Sequence, residues 1–274
     1  MAIDFSFIDN DILGDIADAI RFVEGSTAGI APADYPDRIK ALDKYIPDYD
    51  VLNFTMPNGG TVSLNKVGSP TVVQLEYWTN ENKEWVLWEE DVDGNRSVVL
   101  TAGQTVYIRN KSNTITGFSS SASKLYTFAF TDITNAAGNT NSLLVKNGYV
   151  QRMLEQSFRR LFYNCSNLAT APDLPSVIAA ESCYREMFSG CSLLAKAPYL
   201  PARSGVVLHC YGQMFYNCTS LNYVAIALQK LNSQNALTYW LDHVAPTGDF
   251  YCPTELTIST NSSGIPSGWT RHDI

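Results

Sequence analysis

Apolar residues recur every four positions early in the chain, over residues 7–24, and predict an amphipathic helix there. A second short helix is expected after the DY pair at residues 34–35, because the proline that follows suits the first helical position. Two helices of this length bury little core alone, so residues 1–47 are predicted to form a helical module that docks on another surface. Its docking side is expected to consist of Ile12, Ile16, Ile20, Pro36 and Ile39.

Between residues 48 and 131 the pattern changes to short runs of β-branched and aromatic residues. Turn sequences rich in Asn, Asp and Gly separate these runs, for example NGG at residues 58–60 and DGN at residues 93–95. Short strands with frequent turns are typical of a β-sandwich, which we predict for residues 48–131. The runs lie at residues 51–55, 72–78, 85–88, 98–100, 105–109 and 126–130.

An internal repeat that starts near residue 157 is the strongest pattern in the sequence. LFYNCSNL at residues 161–168 recurs as MFSGCSLL at residues 187–194 and as MFYNCTSL at residues 214–221, a period of 26 and then 27 residues. A period of about 20 to 29 residues with this core is typical of leucine-rich repeats, whose equivalent positions stack in successive coils. Residues 132–274 are therefore predicted to form a leucine-rich-repeat solenoid of about three coils with a C-terminal cap, each coil contributing one short strand and one helical turn. The whole chain is predicted to be a multidomain, mainly β protein.

The repeat also explains most of the six cysteines, all of which lie in the second half of the chain. One column of equivalent positions holds Cys165, Cys191 and Cys218, and another holds Cys183 and Cys210. A small and weakly polar side chain suits an interior position, so we expect buried free thiols. Ser157 takes the cysteine position of the second column in the first coil, which argues against strict pairing. Disulfides remain the alternative, because the number of cysteines is even.

Charge narrows the classes of partner. The chain of 274 residues carries 27 acidic and 19 basic residues, a net charge of −8, without a run of Lys or Arg. Such a chain lacks the basic surface that nucleic acids and anionic membranes require, so neither is an expected partner. No apolar stretch approaches about 18 residues, which predicts a soluble protein without membrane insertion. No basic residue precedes the first apolar positions, and we therefore expect no secretory signal.

The sequence offers little catalytic chemistry. His209, His243 and His272 show no metal-ligand spacing, and phosphate-binding glycine loops and nucleophile motifs are absent. DVDGN at residues 91–95 resembles a calcium loop, but Ala102 stands where the bidentate glutamate would be, so a hairpin turn is the better interpretation. We expect a protein that is not an enzyme, with no catalytic residue, cofactor or metal site.

Two surfaces are candidates for binding. The first is a cluster of three tryptophans in one predicted hairpin, Trp78, Trp85 and Trp88. Such rings stack on sugars, but we favour the interpretation that they form sandwich core with one exposed ring. The second is the exposed face of the coils, which carries Arg185, Lys196 and Arg203. For these charges, ordinary solvation is the simpler interpretation.

Several motifs resemble known families. The phrases NCSNL at residues 164–168, APDLP at residues 171–175 and CYREMF at residues 183–188 resemble BspA-like leucine-rich repeats of gut Bacteroidetes surface proteins and their phages. SGIPSGWT at residues 263–270 is similar to the closing segment of such proteins, and AGQTVYIR at residues 102–109 is similar to the domain that often precedes these repeats. These resemblances cover about residues 50–274.

The start of the chain resembles a different group. ADAIR at residues 17–21 and IAPADYPDRI at residues 30–39 look like the short helical module that opens many tailed-phage structural proteins. The resemblances together imply a non-enzymatic phage virion protein, which is exposed on the particle after assembly in the host cytoplasm. Residues 1–47 would attach it to capsid or tail proteins through the docking side named above.

The implied partner is a glycan or protein on the host surface, bound by a homo-oligomer whose many copies multiply weak contacts. The sequence leaves open the receptor, the residues that bind it, the copy number and the choice between capsid and tail. A bacterial cell-surface adhesin is the first alternative function, and a glycan depolymerase is the second.

Overall fold

The computed structural model describes residues 51–203, 206–231, 233 and 235–274. The predicted helical module of residues 1–47, with the five docking residues Ile12, Ile16, Ile20, Pro36 and Ile39, lies outside the described residues. Within them there are twelve β-strands, one short 3-10 helix at Thr140–Leu143 and no α-helix. The predicted fold class is therefore corrected: the described part of the chain is nearly all β and contains no helical module.

The strands form three sheets. A six-stranded sheet has the order β4-β3-β6-β1-β8-β9, an antiparallel sheet the order β5-β2-β7, and a parallel sheet the order β10-β11-β12. The strands are β1 (Asn53–Thr55), β2 (Gly60–Val67), β3 (Leu75–Thr79), β4 (Val86–Leu87), β5 (Arg96–Leu100), β6 (Thr105–Asn110), β7 (Leu125–Phe130), β8 (Thr134–Ala137), β9 (Leu168–Thr170), β10 (Tyr223–Ala225), β11 (Gly248–Cys252) and β12 (Trp269–Asp273).

The first two sheets face each other and form a sandwich. Successive strand residues point to opposite faces, and in β2 the alternate residues Val62 and Leu64 are fully buried between the sheets. Phe54 of β1 packs edge-on against Phe128 of β7, with 4.8 Å between the ring centroids. The short runs of β-branched and aromatic residues that predicted strands therefore contribute alternate residues to one apolar layer shared by both sheets.

The sandwich and the repeats are continuous. In the six-stranded sheet, β8 pairs antiparallel with β1 and parallel with β9, which lies within the first repeat. On the other sheet, the backbone N–H of Phe128 donates to Leu161, and the Phe128 carbonyl accepts a hydrogen bond from the Cys165 thiol at 3.0 Å. The ring of Phe128 also stacks on Phe162 at 5.4 Å. The edge of the sandwich is thus the surface on which the first repeat stacks.

The repeating segments are stacked turns instead of the predicted helical turns. In the first repeat every fourth residue has a positive φ, at Gln156, Arg160 and Asn164. The equivalent residues of the next repeats have a positive φ as well. An α-helix requires negative φ throughout, so this backbone cannot be helical. Among the described residues of the repeats, these positive φ values fall at Gln156, Arg160, Asn164, Ser182, Glu186, Gly190, His209, Gln213, Asn217, Tyr239 and His243.

The predicted strand in every coil is also wrong. β9 and β10 follow the first and third repeat motifs, whereas the second is followed only by isolated bridges at Lys196 and Leu200. Each turn instead divides its backbone donors between two directions. Phe162 donates to Met187 in the next repeat at 2.8 Å, and Leu161 donates three residues back to Phe158 at 3.2 Å. The stack therefore satisfies its backbone without a continuous strand or helix.

Equivalent side chains form the columns that the period predicted. Phe188 lies parallel to Phe162 and Phe215, with centroid distances of 5.3 and 5.6 Å. The Cys191 thiol donates to the Phe162 carbonyl at 3.1 Å, and the Cys218 thiol donates to the Phe188 carbonyl at 3.0 Å. All six cysteines are buried and free, which confirms the expectation of buried thiols.

Candidate functional site

The tryptophan cluster does not form a platform. Trp78 and Trp88 are buried in the sandwich, at 5% and 3% exposure, and the Trp88 indole donates to the Ser97 carbonyl. Trp85 is partly exposed, but the guanidinium of Arg109 lies 3.7 Å from its ring centroid. This result confirms the interpretation as sandwich core with one outer ring.

The three basic residues expected on the coils lie in different environments. Arg185 approaches the buried carboxylate of Glu186 at 3.3 Å, and Arg159 pairs with the same carboxylate at 3.1 Å. Burial is the main reason why the pKa of Arg159 falls below its ordinary value. Arg203 is exposed, whereas the ammonium of Lys196 lies over the ring of Tyr223 in β10. Only Lys196 therefore belongs to a larger arrangement of exposed groups.

That arrangement is one face of the parallel sheet. Residues in register on parallel strands share a face, and β10 aligns Tyr223 with Asp249 of β11 and Thr270 of β12. Two residues further along, Tyr251 aligns with His272 on the same face. The intervening residues Val224 and Phe250 point into the core and are fully buried. Alternation thus makes this sheet apolar inside and aromatic and polar outside.

The rings on this face stack in a row. Tyr251 lies 5.1 Å from Tyr223 and 4.4 Å from His272, measured between ring centroids, and the second pair is nearly parallel at 14°. The ammonium of Lys196 lies 4.6 Å from the Tyr223 ring centroid. Asp249 Oδ1 accepts a hydrogen bond from His272 Nε2 at 2.7 Å. We call these five residues the aromatic face: Lys196, Tyr223, Asp249, Tyr251 and His272.

The aromatic face is partly exposed to solvent. The side chains of His272 and Asp249 are 37% and 51% exposed, whereas Tyr223 and Tyr251 are half-buried. Among the described residues β12 pairs with β11 alone, so the row ends at a sheet edge there. Asn222, Thr247 and Thr270 line a polar groove beside Asp249. The uncovered edges of these rings can pack on the apolar face of a sugar, and the carboxylate and the ammonium can hydrogen-bond its hydroxyls.

Sequence reasoning named Lys196 in a candidate surface and His272 only as a histidine without metal-ligand spacing, and it did not single out the tyrosines beside them. One outward position recurs in successive repeats and holds Thr170, Lys196, Tyr223 and Asp249. Tyr223 could therefore have been found by extending the alignment of the repeats past residue 221. His272 follows the last repeat, and only strand pairing brings it to Tyr251.

The buried thiols offer no nucleophile. Burial raises the pKa of Cys183 and Cys218 from 9.0 to about 12, so both remain protonated at neutral pH. Within the described part of the chain, no group of three or more His, Cys, Asp or Glu could hold a metal ion. Nor is any helix there long and apolar enough to cross a membrane.

The five residues assigned to virion attachment from the sequence lie outside the described residues, so the geometry of this part of the site is not described. The aromatic face carries aromatic, acidic and basic groups in a row. Comparison of the chain with protein-family models, with curated proteins and with solved structures returned no match.

Proposed function

We propose that this chain is a non-enzymatic adhesive protein of a Bacteroidetes phage virion, and that it binds host-surface saccharide through the aromatic face. The observation that carries the proposal is the partly exposed row of Tyr223, Tyr251 and His272 on one sheet. Stacked rings present an apolar strip, and the flanking Asp249 and Lys196 supply an acceptor and donors for hydroxyl groups. This combination suits the two chemically different sides of a sugar ring.

The shape of the face favours an extended ligand. The row crosses strands instead of closing into a pocket, so successive rings can contact successive sugars of a polysaccharide. Each contact would be weak, but many copies on one particle would raise the overall affinity. Attachment of residues 1–47 to capsid or tail proteins, implied by the resemblance of that segment, would supply those copies.

Polysaccharide binding tests the adhesive part of the proposal. Capsular polysaccharides from gut Bacteroidetes strains are immobilised on a biosensor, and the full chain is compared with Tyr251→Ala and Tyr163→Ala. Tyr251 contributes two ring contacts to the aromatic face, whereas Tyr163 is exposed on the repeats outside it. We expect Tyr251→Ala to weaken binding at least about tenfold, the equivalent of about 1.4 kcal/mol, and Tyr163→Ala to leave it unchanged.

Equal loss in both variants, or no binding of the parent chain to any polysaccharide, would contradict the adhesive proposal. The virion part is tested separately by cryo-electron microscopy of intact particles. Copies held by residues 1–47 with the aromatic face outward support it, and absence of the chain from the particle overturns it in favour of a bacterial surface adhesin.

A further inference from the structure

The parallel sheet ends at a strand whose outer edge has no partner among the described residues. There, β12 pairs with β11 and with no other strand. The side chains of Thr270 and Asp273 are exposed, and those of Arg271 and His272 are partly exposed, so β12 is uncovered along most of its length. An exposed edge strand offers a row of backbone donors and acceptors to another strand. This edge is therefore a candidate interaction surface.

The direction of the backbone groups shows what the edge offers. The Ile274 N–H donates to the Cys252 carbonyl of β11 at 3.0 Å, so Ile274 faces β11. The backbone groups of successive residues point to opposite sides of a strand, and His272 therefore faces β11 as well, whereas Arg271 and Asp273 face outwards. No described residue bonds to the outward N–H or C=O of either. The edge thus presents two residues that are ready to pair.

These two residues carry opposite charges. Arg271 Nε donates to the Asp273 carboxylate at 2.7 Å, and the guanidinium also donates to the carbonyls of Leu256 at 2.9 Å and Pro253 at 3.3 Å. These bonds hold the cation in one position. The Asp273 side chain remains 51% exposed, so its carboxylate can accept from a further donor. A fixed cation and an open anion therefore lie two residues apart on the edge.

Charge selects one way for two such strands to pair antiparallel about a two-fold axis. An axis at Arg271 or at Asp273 sets like charges directly opposite, which is destabilising. An axis at Thr270 sets Arg271 against Trp269, whose N–H already donates to another residue of its own chain. An axis at His272 sets Arg271 of each copy opposite Asp273 of the other, and each such pair exchanges both of its backbone hydrogen bonds.

We propose that two copies of this chain pair through the outer edge of β12, antiparallel and centred on His272. The two Arg271–Asp273 pairs across the seam fix this register, and a two-fold arrangement uses both free edges, so assembly through this edge stops at two copies. The paired segment is short, which predicts a weak dimer with a Kd of about 10–100 µM.

Pairing in this register also extends the aromatic face. His272 of the two copies would lie side by side, so the row of Tyr223, Tyr251 and His272 in one copy continues into the same row of the other. A polysaccharide could then contact both rows at once. This consequence rests on the proposed function, whereas the dimer itself does not, because its tests measure mass and cross-linking without any saccharide.

Sedimentation velocity of the full chain between about 5 and 500 µM, a range that spans this Kd, tests the dimer. Asp273→Arg sets cations opposite cations at both pairs and should raise the Kd at least about tenfold. Glu181→Arg makes the same change of charge at an exposed position of the repeats and should leave the Kd unchanged. A parent chain that stays monomeric, or an assembly that survives Asp273→Arg unchanged, would overturn the proposal.

Mixing two variants separates pairing from folding. Arg271→Asp sets acidic side chains opposite each other and should also prevent pairing with itself. An equal mixture of Arg271→Asp and Asp273→Arg has opposite charges at both pairs, so dimers should return with a Kd within about threefold of the parent chain. Circular dichroism and Tm show whether each variant is folded. If both are folded and their mixture stays monomeric, the proposed charge pairing is wrong. If Arg271→Asp does not fold, Asp273→Arg and the cross-linking below decide.

Cross-linking tests the register. In the proposed dimer the two positions 272 form a pair without backbone hydrogen bonds, with about 4.5 Å between their Cα atoms, which is within reach of a disulfide. His272→Cys should therefore form a covalent dimer in oxidised glutathione. Thr270→Cys is the matched control, because its two copies would lie about 13 Å apart and should not link. The six native cysteines are buried. Equal linking of the two variants would overturn the register centred on His272.

Discussion

Phe54 meets the aromatic rings of the facing sheet at steep angles, whereas the phenylalanines at equivalent positions of successive repeats lie parallel. Phe54 meets Phe128 at an interplanar angle of 60°, whereas Phe188 lies within 6° of parallel to Phe162 and within 2° of parallel to Phe215. In the sandwich, face-to-face packing of the two sheets brings unlike positions together. In the repeats, a constant period brings equivalent positions together, so each of these side chains packs against the equivalent side chain of the next repeat.

This difference changes how a substitution acts. A sandwich residue contacts several unlike partners, and their repacking absorbs part of a change in volume. A residue in the middle of a column contacts its equivalents above and below, which the backbone ladder holds at one spacing. The repeats should therefore relax less around a cavity, although their first turn rests on the sandwich edge at Phe128.

The largest expected effect comes from Phe188→Ala in the middle of the aromatic column. The change removes a fully buried ring with stacked neighbours on both sides and should lower the free energy of unfolding by about 3–5 kcal/mol. Urea unfolding followed by circular dichroism measures the loss. Phe54→Ala in the sandwich is the matched comparison, and it should cost less within the same range. A smaller loss at Phe188 than at Phe54 would contradict the view of the repeats as the stiffer region.

Alkaline pH should weaken the repeats more than the sandwich, because the described cysteines all lie in the second half of the chain. Burial raises the pKa of Cys183 and Cys218 in the folded state to about 12, against 9.0 for an ordinary thiol. The protonated thiol therefore stabilises the fold fully below about pH 9, and this contribution is lost as pH rises towards 12. In that window each thiol should contribute a loss of up to about 1.4 kcal/mol per pH unit.

Denaturant titrations at pH 8, 9.5 and 11 measure this loss, and thiol labelling supplies a control. At pH 8 the folded protein should react slowly with a thiol reagent, while the unfolded chain should label at all six cysteines. Fast labelling of the native protein at pH 8 would show that the columns are open.

A pair of glycine substitutions compares the regions at one backbone conformation. Gly190 in the repeats and Gly103 in a sandwich turn have φ values of 82° and 75°. A Cβ at Gly103 meets nothing within 4 Å, so Gly103→Ala should cost only backbone strain of about 1 kcal/mol. A Cβ at Gly190 would meet the Asn164 side chain of the preceding turn, and Gly190→Ala should cost about 2 kcal/mol. Thermal unfolding of both variants checks this ranking. Equal decreases in Tm would show that the stacked turns move enough to accommodate the added Cβ at position 190.

The smallest effect is expected for Cys183→Ser. Ser157 already stands at the equivalent position of the first repeat, and its hydroxyl donates to the Leu154 carbonyl at 2.7 Å. A serine at position 183 can donate in the same way to Ala180, so the loss of stability should stay below about 1 kcal/mol. No repeat has a serine at the position equivalent to Cys191. The C–O bond of serine is shorter than the C–S bond of cysteine, so the hydroxyl in Cys191→Ser reaches the Phe162 carbonyl less well. Chemical denaturation should therefore rank Cys191→Ser as the more harmful change, and the reverse order would argue against repeat equivalence.

The sequence by itself determined the features that depend on spacing. A period of 26 and 27 residues places Cys165, Cys191 and Cys218 in one column whatever backbone carries them, because stacking follows from equal chain length per turn. Short runs of β-branched and aromatic residues between turn sequences likewise indicated the short strands of the sandwich, since such residues favour strands. The prediction of a helical turn in each repeat was wrong, because a pattern of buried positions does not reveal the sign of φ at Asn164 or Arg160.

Only the tertiary structure decided which residues share a surface. Tyr223, Tyr251 and His272 are separated by up to 49 residues along the chain, and parallel pairing of three strands places their rings in one row. The Asn141 amide in the 3-10 helix is similarly oriented by Ser176 of the first repeat, which lies 35 residues further along the chain. Periodicity specifies what lies inside because burial is a property of each position, whereas a binding surface depends on which distant positions the folded backbone brings together.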